Sequence, residues 1–415
     1  MDLTDRERSL LEGEQGRAMQ LAMELIVAAA TVAGVDELVE VDFAHINSCH
    51  WSGQLSEDFA EFLQAEGAEL AIPTYTNTSL IDCSHPELRP AAEAPEAVDG
   101  ARRLMDIYEA LGCEPTWTCA PYERTAARPA LGQHVIGSES NAVSFYNSVL
   151  GARTNKYGDL LDIAGALIGR VPLAGLHTDE GRRATVAIDL ASLPDQVWLD
   201  EATFHVVGVL MGESVGTAVP VLSGIPAASE DQLKAIAAAG ATAGSVELFH
   251  VVGVTPEART LDEALHGRAP ERSIAMATHD LDAALRRLSS VGAGPVDAVC
   301  LGTPHFSVAE FGQLVELLGD RRVDPGVTAL VTTSRAVQHE IQLRGWAERL
   351  HDSGVQVVLD TCTYYTPRPA GVAGTVMTNS AKWAYYAPGI LDVEVAFGSL
   401  AACVESMVAG QVVRT

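Results

Sequence analysis

Apolar residues recur along this chain in two rhythms, a helical spacing and short continuous runs of β-type residues, and their order sets the expected elements. Thr4-Asp-Arg-Glu7 is a capping-box pattern that opens a long helix carrying Leu10, Leu11, Met19, Leu21, Met23, Leu25 and Ile26 and ending near Gly34. Residues 38–43 then read as a strand, 56–66 as an amphipathic helix, 68–72 as a strand closed by Pro73, 101–111 as a helix and 115–119 as a short strand ending in Cys119. Residues 86–95, rich in Pro, Ala and Glu, read as surface. A helix over 160–168 follows, and 184–190, 197–199 and 204–211 read as strands. From residue 219 onward strands at 219–222, 246–254, 296–301, 327–332 and 355–359 alternate with helices at 229–239, 281–291, 307–318 and 334–350.

That alternation predicts an α/β protein with mostly parallel sheets. At 415 residues the chain exceeds what one core usually holds, so several lobes are expected, at about 1–125, 126–290 and 291–415. There is no short-period repeat and no low-complexity linker, which favours lobes packed tightly on one another. No stretch offers the eighteen or so apolar residues that span a bilayer, since even 21–33 contains Glu24. A soluble, cytoplasmic protein without a membrane segment is the expectation.

The formal charge of −28 excludes the positive field that nucleic acid requires. Only three lysines occur, Lys156, Lys234 and Lys382, so an anionic small-molecule substrate has to be held by local cations, and each one carries information. Seven cysteines, an odd number without short regular spacing, argue against a disulfide framework and for buried thiols or metal ligands.

In parallel sheets ligands bind beyond the carboxyl ends of the strands. Cys300-Leu-Gly-Thr303-Pro-His305, Thr332-Thr-Ser334-Arg335 and Asp360-Thr-Cys362 all fall there. Cys300 and Cys362 read either as iron or zinc ligands or as buried core thiols; residue types alone leave both open. Three polar segments could bind an anion: Thr74-Tyr-Thr-Asn77, Glu139-Ser140-Asn141 at a helix start, and Arg153-Thr-Asn155-Lys156. Thr378-Asn379-Ser380-Ala-Lys382 reads either as the best anion loop in the chain or as a capped helix with a surface lysine.

At these residues the sequence resembles the aconitase X family, in its large catalytic subunit. The matching segments are Glu114-Pro-Thr-Trp-Thr-Cys119-Ala-Pro-Tyr122, Glu139-Ser-Asn141-Ala-Val143, Asn147 to Asn155, Phe249-His250 to Pro256, Gly302-Thr-Pro-His305-Phe-Ser307, Asp360-Thr-Cys362 and Thr378-Asn-Ser-Ala-Lys382-Trp-Ala-Tyr385-Tyr-Ala-Pro388. The resemblance implies an aconitase-like fold, several α/β/α lobes around a central cleft. It also implies an iron–sulfur cluster or mononuclear iron on Cys119, Cys300 and Cys362, and dehydration of a small β-hydroxy acid without citrate isomerisation. The implied substrate is cis-3-hydroxy-L-proline, or mevalonate 5-phosphate, which needs extra phosphate donors. The base in such enzymes is a serine on a small swivelling domain, fused or separate; none is visible in this chain, so a separate small subunit is expected.

On these grounds His45, Ser48, His305 and Lys382 are the candidate catalytic residues. Thr74, Asn77, Glu139, Ser140, Asn141, Arg153, Asn155, Ser334, Asn379 and Ser380 are the candidate substrate contacts. One departure from the family pattern is His45-Ile-Asn-Ser48-Cys49-His50-Trp51-Ser-Gly53, where a short His-x-Ser-Gly loop is expected. A non-catalytic relative that binds only a ligand or partner is the reading from a different class; absence of iron would favour it.

Overall fold

The structure is a computed structural model that describes residues 1–414. Three parallel sheets form along the chain. The first orders Thr74–Thr76, Ala44–Ile46 and Ile136–Gly137. The second orders His250–Val251, Pro220–Ser223, Val186–Asp189 and Arg272–Ala275. The third, with five strands, orders Val355–Leu359, Thr328–Thr333, Ala298–Phe306, Thr375–Thr378 and Glu394–Phe397. An antiparallel pair, Leu38–Glu40 with Arg170–Pro172, closes one side of the first region. No helix of the described residues is long and apolar enough to cross a membrane.

The helix starts follow the capping patterns. Thr4 with Glu7, Ser229 with Gln232 and Ser307 with Glu310 each form a reciprocal capping box. The first helix is nevertheless two, Asp5–Leu11 and Arg17–Ala33, because Gly13 and Gly16 take positive φ between them. Likewise Gly345 divides Arg335–Leu343 from Trp346–Ser353.

Four strand expectations fail for identifiable reasons. Residues 204–211 lie in the helix Ala202–Val215, which is buried almost all round and so has no polar stripe to betray its period. It packs on Glu230–Gly244 across a seam of small residues, where a Cβ on Gly208 would sit 2.7 Å from Ala239 Cβ and one on Gly212 would sit 2.7 Å from the Gly240 carbonyl. Residues 68–72 are not a strand; the polar Thr74–Thr76 is, because all three residues are buried against Ala44–Ile46. Residues 115–119 are irregular, with Trp117 at φ 41 and its indole fully buried. The run at 197–199 belongs to a single 3₁₀ turn, Asp195–Leu199.

The third sheet carries the part that matters for chemistry. Ala298–Phe306 is buried along all nine residues. Gly302 at φ 87 bends it, since a Cβ there would collide with the Thr332 carbonyl. The bend shifts the register with Thr328–Thr333 before Phe306 and sends His305 toward the first region.

Candidate active site

Cys119 arrives from the irregular segment after Glu114, which is pinned to the Thr74–Thr76 strand. Thr116 Oγ1 donates to the Thr76 carbonyl at 2.7 Å and the Trp117 amide donates to Thr76 Oγ1 at 3.0 Å. Cys362 follows Val355–Leu359 through Asp360, whose φ of 64 turns the chain sharply. Arg335 grips the buried Asp360 carboxylate with two hydrogen bonds, at 2.7 and 2.9 Å.

The ligand atoms of Cys119, His305 and Cys362 lie within 4.8 Å of one another, and all three residues are buried. The His305 amide donates to Cys119 Sγ at 3.3 Å. Its Nε2 lies 3.0 Å from the Thr361 carbonyl and its Nδ1 lies 2.9 Å from the Thr118 hydroxyl. A carbonyl only accepts, so Nε2 carries the hydrogen and Nδ1 keeps the lone pair. A hydrogen bond from Cys119, with His305 and Lys382 behind it, holds the Cys362 thiol well below its ordinary range. Burial pushes Cys119 the other way, well above it.

Cys300 stands apart from the close group. It sits within its strand, opposite Leu330, and does not join the converged group. Burial pushes its thiol up to about 12, with the Thr363 hydroxyl beside it. The imidazole of His305 lies closer to Cys119 and Cys362 than the 4.8 Å that bounds the group, with both ring nitrogens already hydrogen-bonded.

The donor set suits a metal. Two sulfurs and an imidazole are soft ligands of the kind that hold iron or zinc. Buried polar atoms without partners, His45 Nδ1, Asn77 Oδ1, Asn141 Oδ1 and Thr303 Oγ1, lie on the segments around Cys119 and His305. Unpaired buried polar groups are rare in native folds, and a water, an ion or a ligand can satisfy them. His45 donates from Nε2 to the Thr118 carbonyl at 2.9 Å, and burial holds it neutral with its pKa pushed down to about 4.

Beside this group lies a buried ion pair. Lys382 Nζ is 2.6 Å from Glu139 Oε1 and 3.4 Å from Ser140 Oγ. Burial alone would discharge both, but each charge outweighs it for the other: Lys382 is raised well above and Glu139 held below its ordinary value. Glu139 caps the helix Ser140–Ser148 by accepting from the Ala142 amide at 2.7 Å. Ser380 caps Ala381–Leu391 by accepting from the Trp383 amide at 3.1 Å. The scarce lysine is thus both in a capped helix and in a buried ionic site. Asn141 donates to the Cys119 carbonyl at 3.3 Å, while Asn379 turns toward Glu201.

Other expected contacts have hydrogen-bond partners within the chain. Ser48 donates to Asp162 and accepts from the Leu160 amide at 2.8 Å, so its hydroxyl is committed. Asp162 also accepts from the Asn47 amide at 2.6 Å and Ser138 Oγ at 2.9 Å. Thr74 bonds the Ile72 carbonyl, Asn77 donates to Asn47 at 2.7 Å, and Ser334 caps its helix. Arg153 pairs with Asp179, and Asn155 donates to the Ala174 carbonyl and accepts from the Leu176 amide.

The reading of residues 86–95 as surface missed Arg89, which is buried beside the Cys362 loop. It donates to the carbonyls of Pro367 at 2.7 Å and Cys362 at 2.8 Å. The scarcity of cations was the signal that could have flagged it. The departure at His50 meets a ring that residue types did not announce: the rings of His50 and Tyr365 lie 4.8 Å apart, and Tyr365 OH meets Thr78 Oγ1 at 2.9 Å.

The chain matches the aconitase X first domain over residues 1–180, the second over 184–286 and the third over 296–409. It is 41% identical to a cis-3-hydroxy-L-proline dehydratase from Pseudomonas aeruginosa, over 98% of this chain and 70% of that one. It is 32% identical to a phosphomevalonate dehydratase large subunit from Thermococcus kodakarensis, over 93% and 95%. The crystal structure of Thermococcus kodakaraensis aconitase X in its holo-form superposes with a TM-score of 0.86 at 29% identity, over 98% of this chain and 100% of that one. With the three domains matched in order and a solved relative superposing almost end to end, the chain belongs to the aconitase X family.

Proposed function

We propose that the chain is the catalytic polypeptide of an iron-dependent hydro-lyase that removes water from cis-3-hydroxy-L-proline. The observation that carries this reading is the convergence of Cys119, His305 and Cys362 beside the buried Lys382–Glu139 pair, in a chain 41% identical to a dehydratase of that substrate. Cys119, His305 and Cys362 would hold the iron, as a single ion or within an iron–sulfur cluster, with Cys300 close by. Bound there, iron supplies Lewis acidity toward a hydroxyl leaving group.

The chain's own residues bind and orient. Two helices, Ser140–Ser148 and Ala381–Leu391, begin at the ion pair and bring their N-terminal amides and positive dipole ends to it. With Lys382 they form a seat for the substrate carboxylate. As the proton leaves the carbon next to that carboxylate, Lys382 balances the developing negative charge, and Glu139 keeps Lys382 charged and aimed. His45, held neutral with a free Nδ1 lone pair, accepts a hydrogen bond from the substrate. The base comes from a small swivelling-domain polypeptide, in keeping with the archaeal relatives named as large subunits.

Mevalonate 5-phosphate would need further cations at the site. Of the three cations that could supply them, Lys382 is at the site, while Arg153 pairs with Asp179 and Lys156 is exposed to solvent; that only one stands there favours the amino-acid substrate. The deciding assay supplies iron-loaded protein, with and without a small subunit, with both compounds. Turnover of cis-3-hydroxy-L-proline that depends on iron and on the second polypeptide is expected; faster turnover of mevalonate 5-phosphate would overturn the substrate assignment.

A further inference from the structure

Two arginines are fully enclosed, Arg182 at 2% exposure and Arg89 at 3%. Arg182 has a carboxylate partner, Glu257. Arg89 has none among the described residues. Its contacts are the carbonyls of Pro367 at 2.7 Å, Cys362 at 2.8 Å and Tyr365 at 3.3 Å, and the Thr361 hydroxyl at 3.3 Å. The carboxylate of Asp82 lines the same small cavity as Arg89 but forms no ion pair with it, its oxygens accepting from the Ser84, His85 and Leu359 amides. The guanidinium's charge is therefore only partly balanced in an interior that normally pairs charges. An arginine keeps its charge in a folded protein, and this one's fork closes on the backbone of Cys362 itself, at 2.8 Å.

We propose that Arg89 is the fixed counter-charge of the centre formed by Cys119, His305 and Cys362, a positioning residue that stabilises negative charge on the sulfurs. The inference rests on the reading that those residues hold iron. Thiols that bind a metal give up their protons, so the loaded group gains negative charge in a dry interior. The fork of Arg89 also ties three carbonyls of residues 362–367 to the first region of the chain. It therefore does two separable things: the charge favours the metal–thiolate group and its reduced form, and the fork holds the loop.

The test uses the full chain, loaded anaerobically with ferrous iron, thiol and sulfide. Iron loss to a chelator and the reduction potential of the loaded centre are measured for wild type, Arg89→Lys and Arg89→Gln. Removing the charge in Arg89→Gln should shift the potential negative and speed iron loss by about ten-fold or more. Arg89→Lys keeps the charge with a poorer fork, so its potential should stay near wild type. Ala91→Glu offers a variant that leaves Arg89 in place: Ala91 is exposed and shares a small cavity with Arg89, so a carboxylate there neutralises the guanidinium from outside. It should shift the potential in the same direction. An unchanged or positive-going potential in both Arg89→Gln and Ala91→Glu overturns the proposal, as does a lysine variant as altered in potential as the glutamine one, which would make Arg89 a loop staple alone. A wild-type chain that takes up no iron overturns the iron reading itself, and is distinguished by failing before any variant is compared.

Discussion

Glu139 and Lys382 are each nearly sealed from water, so each owes its charge to the other. Replacing one alone, as in Lys382→Met or Glu139→Gln, leaves an uncompensated buried charge and should lower unfolding free energy by about 3–5 kcal/mol in denaturant titrations. The double variant Lys382→Met/Glu139→Met should regain most of that stability while staying inactive. Recovery of activity with stability would remove Lys382 from the chemistry. His205 gives a second test at this scale. It is held neutral by burial, with a pKa near 4 and Lys234 nearby, against about 6.5 in the unfolded chain. A folded pKa below the unfolded one contributes stability above about pH 6.5 that is lost as pH falls toward about 4. In metal-free protein, His205→Leu should flatten that acid loss by an amount of the order of 3 kcal/mol, read from melts across the window. What was legible among single residues followed rarity: cysteines at strand ends and one lysine among hydroxyls stood out. The burial of Arg89 and the distance of Cys300 from the close group were not readable, because they depend on which loop covers a segment and which way a strand bends. Neither is written in local residue type.

Among the elements, the helices Ala202–Val215 and Glu230–Gly244 show how packing overrides local preference. A valine-rich run becomes helix because Gly208, Gly212, Gly240 and Gly244 let two backbones touch. A Cβ on Gly244 would collide with the Gly212 backbone, so Gly244→Ala should lower stability by about 1–3 kcal/mol. Gly389, also helical, has nothing within 4 Å of the place an added Cβ would occupy and supplies the control: Gly389→Ala should be neutral or gain up to about 1 kcal/mol. If the two melt alike, the seam is not what holds these helices together. Starts of helices were readable because capping is a three-residue signal. Interiors of fully buried helices were not, since the polar face that reveals a helical period is missing.

At the scale of the molecule, segment 78–89 and segment 359–367 are laced together. The Ser79 amide donates to the Asp360 carbonyl at 2.7 Å, the Leu359 amide to Asp82 at 2.8 Å and Thr361 Oγ1 to the Leu80 carbonyl at 3.0 Å. Those bonds bring Cys362 to Cys119 across 243 positions of sequence, a distance that alternating strand and helix patterns announce only as a fold class. The parallel architecture was therefore legible, and its long-range stitching was not. The charge of −28 acts at this scale too. Raising salt from about 0.01 to about 0.15 M shortens the screening length from about 30 to about 8 Å and should raise the melting temperature by relieving self-repulsion. A fall in melting temperature over that range would mean that ion pairs outweigh the net charge. The distribution of the three lysines has a practical corollary. Lys234 and Lys382 are locked in ion pairs and only Lys156 faces solvent. Besides the terminal amine, amine-reactive dyes and cross-linkers therefore meet a single address on the folded protein, a ready-made attachment point for immobilising it or for reporting when a second polypeptide arrives.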